Sequence, residues 1–163
     1  MEMIAAWIAS VDAGMERAFA DGSLDGLSVR ERIRRLVAFR LEAVAGREEA
    51  LRRALSIMAM PRNARRSLRL GWNSADAMWR LAGDRATDYN HYTKRAILAG
   101  VYAATLAIFV DDQSEAKAET AAFLDRRLAD IIRFEQAKAK FAGSGGEHFS
   151  LARFLGRLRY PAR

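Results

Sequence analysis

Ala96-Ile97-Leu98-Ala99-Gly100-Val101-Tyr102-Ala103-Ala104-Thr105-Leu106-Ala107-Ile108-Phe109-Val110 carries no charged side chain, and the reading of these fifteen residues decides the fold. As a helix rising 1.5 Å per residue the run spans about 22 Å, short of the roughly 30 Å hydrocarbon core of a bilayer. It predicts a buried central helix, from about Asp88 to Val110, with other helices packed around it. The remainder is of matching composition. Ala, Leu, Arg and Glu recur, the 163 residues hold two prolines (Pro61 and Pro161), and no Val/Ile/Thr-rich alternation marks a strand. The expected fold class is all-α, one domain, with roughly 70% of the unfolded surface buried.

Working outward, Ile4, Trp7, Ile8, Val11, Met15 and Phe19 recur at helical spacing and predict a first helix over 3–20. Ser28 with Glu31 forms a capping box that starts a second helix, with Ile33, Leu36, Val37, Leu41 and Val44 inward and Gly46 as the left-handed residue after it. A third helix runs from Arg47 to Met60 and stops at Pro61. Leu68, Trp72, Ala75, Trp79 and Ala82 predict a fourth over 62–82, packed through Leu68 and the tryptophans and ended by Gly83. Its first half holds Arg62, Arg65, Arg66 and Arg69 and no acid. The last helix of the domain covers about 114–141, with Phe123, Leu124, Leu128, Ile131 and Ile132 on one side.

Gly143-Ser144-Gly145-Gly146 predicts a flexible linker between a helical domain at 1–142 and a terminal segment at 147–163. In that segment Leu151, Phe154, Leu155 and Leu158 share a helical face, Arg153 and Arg157 lie opposite, and Phe149 and Tyr160 flank them. With four arginines and one glutamate over 147–163, the pattern predicts a weakly attached, reversible membrane-surface helix, although docking onto a protein groove uses the same pattern. The overall net charge of +7 points to phosphate-bearing partners, nucleic acid or anionic lipid.

The chemistry that is missing narrows the function. There are no cysteines, which excludes disulfides, thiolate metal sites and a Cys nucleophile. His91 and His148 sit in no metal-ligand spacing, and there is no phosphate loop and no GxSxG. Asp111 and Asp112 are adjacent, so on a helix they diverge by about 100° and serve better as a helix end than as a carboxylate pair. No catalytic residue, metal or cofactor is expected. Neither a secretory leader nor a membrane-spanning run occurs. The uncharged central helix facing Trp72 and Trp79 is either a fully buried core element or the wall of an apolar ligand tunnel, for which Gly71, Gly100 and the alanines leave room. On the second reading Trp72, Trp79, Ile97, Gly100, Val101, Thr105 and Phe109 bind lipid.

The stretch Asp84-Arg-Ala-Thr-Asp-Tyr-Asn-His-Tyr-Thr-Lys-Arg-Ala-Ile-Leu-Ala-Gly-Val-Tyr102, then Asp111-Asp112 and Ala122-Phe-Leu-Asp-Arg-Arg127, resembles the signature of the ubiquinone-biosynthesis accessory lipid-binding family. Ala59-Met-Pro-Arg-Asn63, Trp72, Asp76 and Trp79 also fit it, and Phe154-Leu-Gly-Arg-Leu-Arg-Tyr-Pro161 is similar to the tails of bacterial members. The resemblance covers about residues 2–142. It implies a TetR-like α-fold that binds isoprenoid quinone intermediates and presents them to the membrane-bound demethoxyubiquinone hydroxylase. It further implies a cytoplasmic protein held peripherally at the inner membrane, a homodimer, and no nucleic-acid ligand. The hydroxylase surface would fall on Asp88, Asn90, His91 and Tyr92. His91 departs from the family's usual tryptophan, as does Ala121. The family also begins with a helix-turn-helix portion, so the expectation is a shortened start or a member that works without it. Two other functions compete: a ligand-sensing domain of a TetR-type regulator, and a structural assembly factor that holds no lipid.

Overall fold

The computed structural model describes residues 1–84 and 89–143, with the side chains of 89, 90, 132 and 134–143 excepted. Six α-helices account for most of the described chain, with no strand among the described residues: α1 (Glu2–Ala18), α2 (Val29–Glu42), α3 (Glu48–Met58), α4 (Ala64–Leu81), α5 (Tyr89–Phe109) and α6 (Ala118–Gly143). The all-α expectation holds, with helix limits close to those the periodicity predicts. The linker expected at 143–146 and the helix expected at 147–163 lie outside the described residues beyond Gly143. No helix among the described residues is long and apolar enough to cross a membrane.

The chain divides into two compact units, Met1–Leu128 and Ala129–Arg163. In the second, the described part is helical from Ala129 to Gly143, with Arg133 paired to Asp130 one turn back. In the first, α4 and α5 pack along each other, α1 lies across α4, and α2 and α3 each touch both α4 and α5. The core between them holds Met15, Leu36, Val37, Ala75, Met78 and Leu98, each almost completely buried.

Local chemistry explains the boundaries. Ser28 Oγ accepts from the Glu31 amide at 3.3 Å and caps α2. Glu31 departs from the expected reciprocal box, because its carboxylate pairs forward with Arg35 at 3.2 Å, an attraction stronger at a charged guanidinium than at a neutral amide. Gly83 takes φ +86 and ends α4, and a Cβ there would stand 3.0 Å from Arg32 Nη1. That same nitrogen donates to the Ala82 carbonyl at 3.0 Å. Arg52 Nη2 donates to the Val110 carbonyl at 2.8 Å and to Asp111 Oδ1 at 2.7 Å, tying α3 to the end of α5.

Two packing expectations are corrected. Leu68 is not an inward anchor of α4; it is 75% exposed, because the buried stripe runs instead through Ser74, Ala75, Ala77 and Met78. Nor is α5 buried all round. Leu98, Tyr102, Thr105 and Phe109 are buried while Ala96, Gly100, Ala103, Ala104 and Ala107 are exposed. Exposed alanine and glycine cost little in water, so the uncharged run does not require burial on every side.

Asp111 and Asp112 do part company at the end of α5. The buried Asp112 closes the turn into α6: Oδ1 accepts from the Ser114 amide at 2.8 Å, and Oδ2 from the Thr120 amide at 2.8 Å and hydroxyl at 2.6 Å. The turn includes left-handed Ala116 (φ 49) and Lys117 (φ 57), an unfavourable conformation for L residues that these bonds help to hold. Hydrogen bonds from Ser114 and Thr120 keep the Asp112 carboxyl well below the ordinary carboxylate range. A depressed acid adds stability above its unfolded pKa and loses it as the pH falls toward the folded value. Asp112→Asn should therefore lower the melting temperature clearly at pH 7, and the gap to the parent should narrow as the pH falls below about 4. A gap independent of pH would assign the effect to shape alone.

Candidate functional site

Five helices of the first unit converge on an apolar cavity of about 110 Å³. α1 contributes Ile4, Trp7, Ile8 and Val11, spaced i, i+3, i+4 and i+7, so that one stripe faces inward. α3 brings Leu51, Ala54, Leu55 and Met58 on the same period; α4 brings Leu70, Gly71 and Ser74; α5 brings Ala99, Tyr102, Ala103 and Leu106. Gly71 and the alanines leave the space. A Cβ built on Gly71 meets nothing within 4 Å.

A surface groove of about 530 Å³ between α1 and α3 shares three walls with the cavity, Ile4, Trp7 and Ala54. Met3, Ala50 and Ile57 extend it outward, with Glu49 and Arg53 as its charged members. Met3 is 85% exposed. The cavity alone is smaller than the roughly 300–1,000 Å³ typical of small-molecule sites; the groove beside it falls in that range. An elongated apolar molecule with one end inserted fits this shape.

One corner of the cavity is polar. Arg40, only 1% exposed, lines it from α2. Its Nη1 pairs with Asp12 and its Nη2 donates to Ser74 Oγ at 3.0 Å. Ser74 Oγ in turn donates to Asp12 Oδ1 at 3.2 Å. The guanidinium carbon lies 4.8 Å from the Tyr102 ring centre, a cation–π distance. Burial pushes the Tyr102 phenol above its ordinary pKa, against the opposing charge of Arg40, so the group stays neutral and protonated near pH 7. Arg40 and Asp12 are absent from the residues singled out by spacing, although the signal is there: Arg40 falls on the stripe of Ile33, Leu36, Val37, Leu41 and Val44, and Asp12 follows Val11 one turn before Met15.

The seven residues that the sequence suggests as lipid contacts are not among those lining this cavity. Thr105 and Phe109 are buried in the core, Thr105 donating to the Val101 carbonyl at 2.7 Å and Phe109 lying 4.9 Å beneath Lys117 Nζ. Ile97 and Val101 are half-buried on a different side of α5, and Gly100 is exposed with open space beside it. Trp79 braces the α4–α5 pair, donating from Nε1 to the Lys94 carbonyl at 3.0 Å. Trp72 leans on Tyr92, ring centres 5.9 Å apart. A helix without charge offers no contrast between its faces, so its spacing defines stripes without saying which one faces a ligand.

Of the residues assigned to a partner surface, Asp88 and the Asn90 side chain lie outside the described residues. His91 meets Tyr92 edge to face at 5.1 Å, and Tyr92 is 61% exposed. With Trp72 and the exposed Leu68 one turn before it on α4, Tyr92 contributes to an apolar patch on the outside of the α4–α5 pair. Arg95 lies beneath the start of α5, 2% exposed, with Nε on Asp76 Oδ1 at 2.5 Å and Nη1 on Asp84 Oδ2 at 3.1 Å. The membrane-contact residues Phe149, Leu151, Arg153, Phe154, Leu155, Arg157, Leu158 and Tyr160 are outside the described residues.

Residues 64–135, which hold α4, α5 and all of the unit-one part of α6, match the COQ9 family model. Similar curated proteins include the ubiquinone biosynthesis protein COQ9, mitochondrial, of Rattus norvegicus, 43% identical over 95 residues. The protein of the same name in Homo sapiens is 41% identical over 95 residues. Each alignment takes in 58% of this chain and 30% of the relative's length. The Drosophila melanogaster protein of that name is 28% identical over 104 residues, 64% of this chain and 32% of its own.

Proposed function

Since the chain is related to the COQ9 family through residues 64–135, we propose that it is a non-catalytic accessory protein of ubiquinone biosynthesis that binds an isoprenoid quinone intermediate and hands it to the demethoxyubiquinone hydroxylase. The observation that carries the reading is the apolar cavity lying beside the α1–α3 groove, with Ile4, Trp7 and Ala54 lining both. A ring enters the cavity and the isoprenoid tail follows the groove, where Met3, Ile4, Trp7, Ala54 and Ile57 cover it. At roughly 25 cal/mol per Å² of apolar surface removed from water, the tail supplies affinity in proportion to the length covered.

Two further parts belong to the proposal. The apolar and basic alternation of residues 149–160 supports reversible attachment to the anionic surface of the inner membrane, where such a ligand resides. Leu68, Trp72 and Tyr92 form the docking patch for the hydroxylase, consistent with the tendency of exposed apolar patches to mark interaction sites. Extraction of the purified chain and mass spectrometry of the extract should yield an isoprenoid quinone or its precursor; an extract holding only bulk phospholipid would sink the reading. Leu68→Asp and Tyr92→Ala should each weaken hydroxylase binding roughly tenfold or more, with helicity and bound lipid unchanged. Unaltered binding in both variants would move the docking surface elsewhere.

A further inference from the structure

Between Glu49 and Asp76 the chain holds six arginines and no acid. Four of them, Arg62, Arg65, Arg66 and Arg69, recur at helical spacing and form one stripe along the 3-10 turn Pro61–Asn63 and the first half of α4. On α2, α3 and α5, arginines are answered by carboxylates: Arg34 by Asp125, Arg35 by Glu31, Arg53 by Glu49, and Arg95 by Asp76 and Asp84. In the stripe Arg66 alone is answered, by Glu2 of α1. Arg62, Arg65 and Arg69 are exposed and have no ion pair among the described residues.

The fold does not call for these charges. α1, α2, α3 and α6 each carry a glutamate in the first turn, where the helix dipole favours an acid, whereas α4 has none there and arginines crowd its positive end at a cost. A local rule broken with no return inside the fold marks a surface kept for something outside it. Exposed methionines stand beside the stripe: Met60, 39% exposed, just ahead of it in the chain, and Met3, 85% exposed, next to Glu2. We propose that this stripe is a membrane-contact surface of the first unit, in which Arg62, Arg65 and Arg69 lie on the phosphates of an anionic bilayer while Met3 and Met60 enter its interface. The proposal goes beyond attachment through residues 149–160 and does not depend on it. Phosphates of a lipid or of a nucleic acid would satisfy the guanidinium groups equally. The methionines favour the bilayer, because a flexible thioether chain is buried among acyl groups and gains nothing against a DNA backbone. Met3 also lines the α1–α3 groove, so the same docking sets that end of the groove against the membrane.

Cosedimentation of the full chain with vesicles tests this, using equal parts of phosphatidylglycerol and phosphatidylcholine against phosphatidylcholine alone. Arg62→Gln, Arg65→Gln and Arg69→Gln together should weaken binding to the anionic vesicles roughly ten- to hundredfold, and raised salt should mimic that loss in the parent. The melting temperature should hold, since none of the three has an ion pair to lose. Arg62→Lys, Arg65→Lys and Arg69→Lys together should keep most of the binding, because charge rather than the planar fork is used. Phe154→Asp separates the two surfaces: it should leave a salt-sensitive attachment that the three glutamines then remove. A second measurement leaves the charges alone. The chain has no cysteine, so Met60→Cys can carry a single environment-sensitive fluorophore, whose emission should move to the blue with anionic vesicles. The same fluorophore on Ser23→Cys, in the turn after α1 and about 25 Å along that helix from Glu2, should not respond. Undiminished anionic binding by the glutamine variant, or an unmoved Met60 fluorophore while the chain cosediments, overturns the proposal and leaves attachment to residues 149–160. A parent that ignores anionic vesicles overturns both. A short DNA duplex that binds the parent more tightly than the vesicles do, and is lost with the three glutamines, would make the stripe a nucleic-acid surface instead.

Discussion

Arg95→Met is expected to cost about 3 to 5 kcal/mol of stability, a large share of the roughly 5–15 kcal/mol that holds a domain together. Arg95 is 2% exposed and donates to Asp76 at 2.5 Å, to Asp84 at 3.1 Å and to the His91 carbonyl at 3.1 Å. Methionine fills similar space but takes one cation away from each acid. Asp76 retains Arg80 at 3.3 Å and is 28% exposed, so water screens it. Asp84 is 7% exposed and retains Lys94 at 2.9 Å. The penalty should therefore fall mainly on Asp84. Urea unfolding would measure the loss, and adding Asp84→Asn to Arg95→Met should recover part of it. A single-variant loss below about 1 kcal/mol would place this cluster among surface pairs of little energetic weight, and the α4–α5 pairing would then rest on apolar packing alone.

If the chain binds lipid as proposed, Gly71→Leu should remove most of what copurifies while leaving stability level or higher by up to about 1 kcal/mol. Ordinarily a large side chain forced into a core costs about 1 to 3 kcal/mol through strain. Here the position lines the cavity and an added Cβ meets nothing within 4 Å, so the isobutyl group grows into space the ligand would use. Replacing a glycine inside α4 also lessens the entropy that the chain loses on folding. Gly100→Leu is the matched comparison, because its site on α5 is exposed and equally open but lies off the cavity. It should gain the same helical preference and leave lipid content unchanged. Should Gly100→Leu empty the protein while Gly71→Leu does not, the ligand path follows the opposite side of α5, through Ile97, Gly100 and Val101.

How far the sequence reaches differs between helices for a reason visible in their residues. In α1, Ile4, Trp7, Ile8 and Val11 stand against Glu2, Ser10 and Glu16, and that contrast is enough to assign the inward face from spacing alone. Spacing likewise marks the stops at Pro61 and Gly83, the Ser28 cap, and Asp111-Asp112 as a helix end rather than a reactive pair. These are local matters, settled within one or two turns of chain. The resemblance at Tyr92, Asp76 and the tryptophans is equally legible, and the matched span of 64–135 contains those residues.

Composition and spacing thus suffice for the helical content, the limits of the helices and the absence of thiol chemistry. Three other features arise only when the helices pack. Packing chooses which side of α5 faces the cavity, Ala99, Tyr102, Ala103 and Leu106, because an uncharged helix has no polar face to exclude the other choices. It leaves Leu68 in solvent, because α4 presents Ser74, Ala75 and Met78 to its neighbours. And it brings Asp12, Arg40, Ser74 and Tyr102 together from four different helices. Periodicity fixes which residues share a face of one helix; which faces meet is settled only when all the helices compete to bury apolar surface and satisfy their buried charges at once.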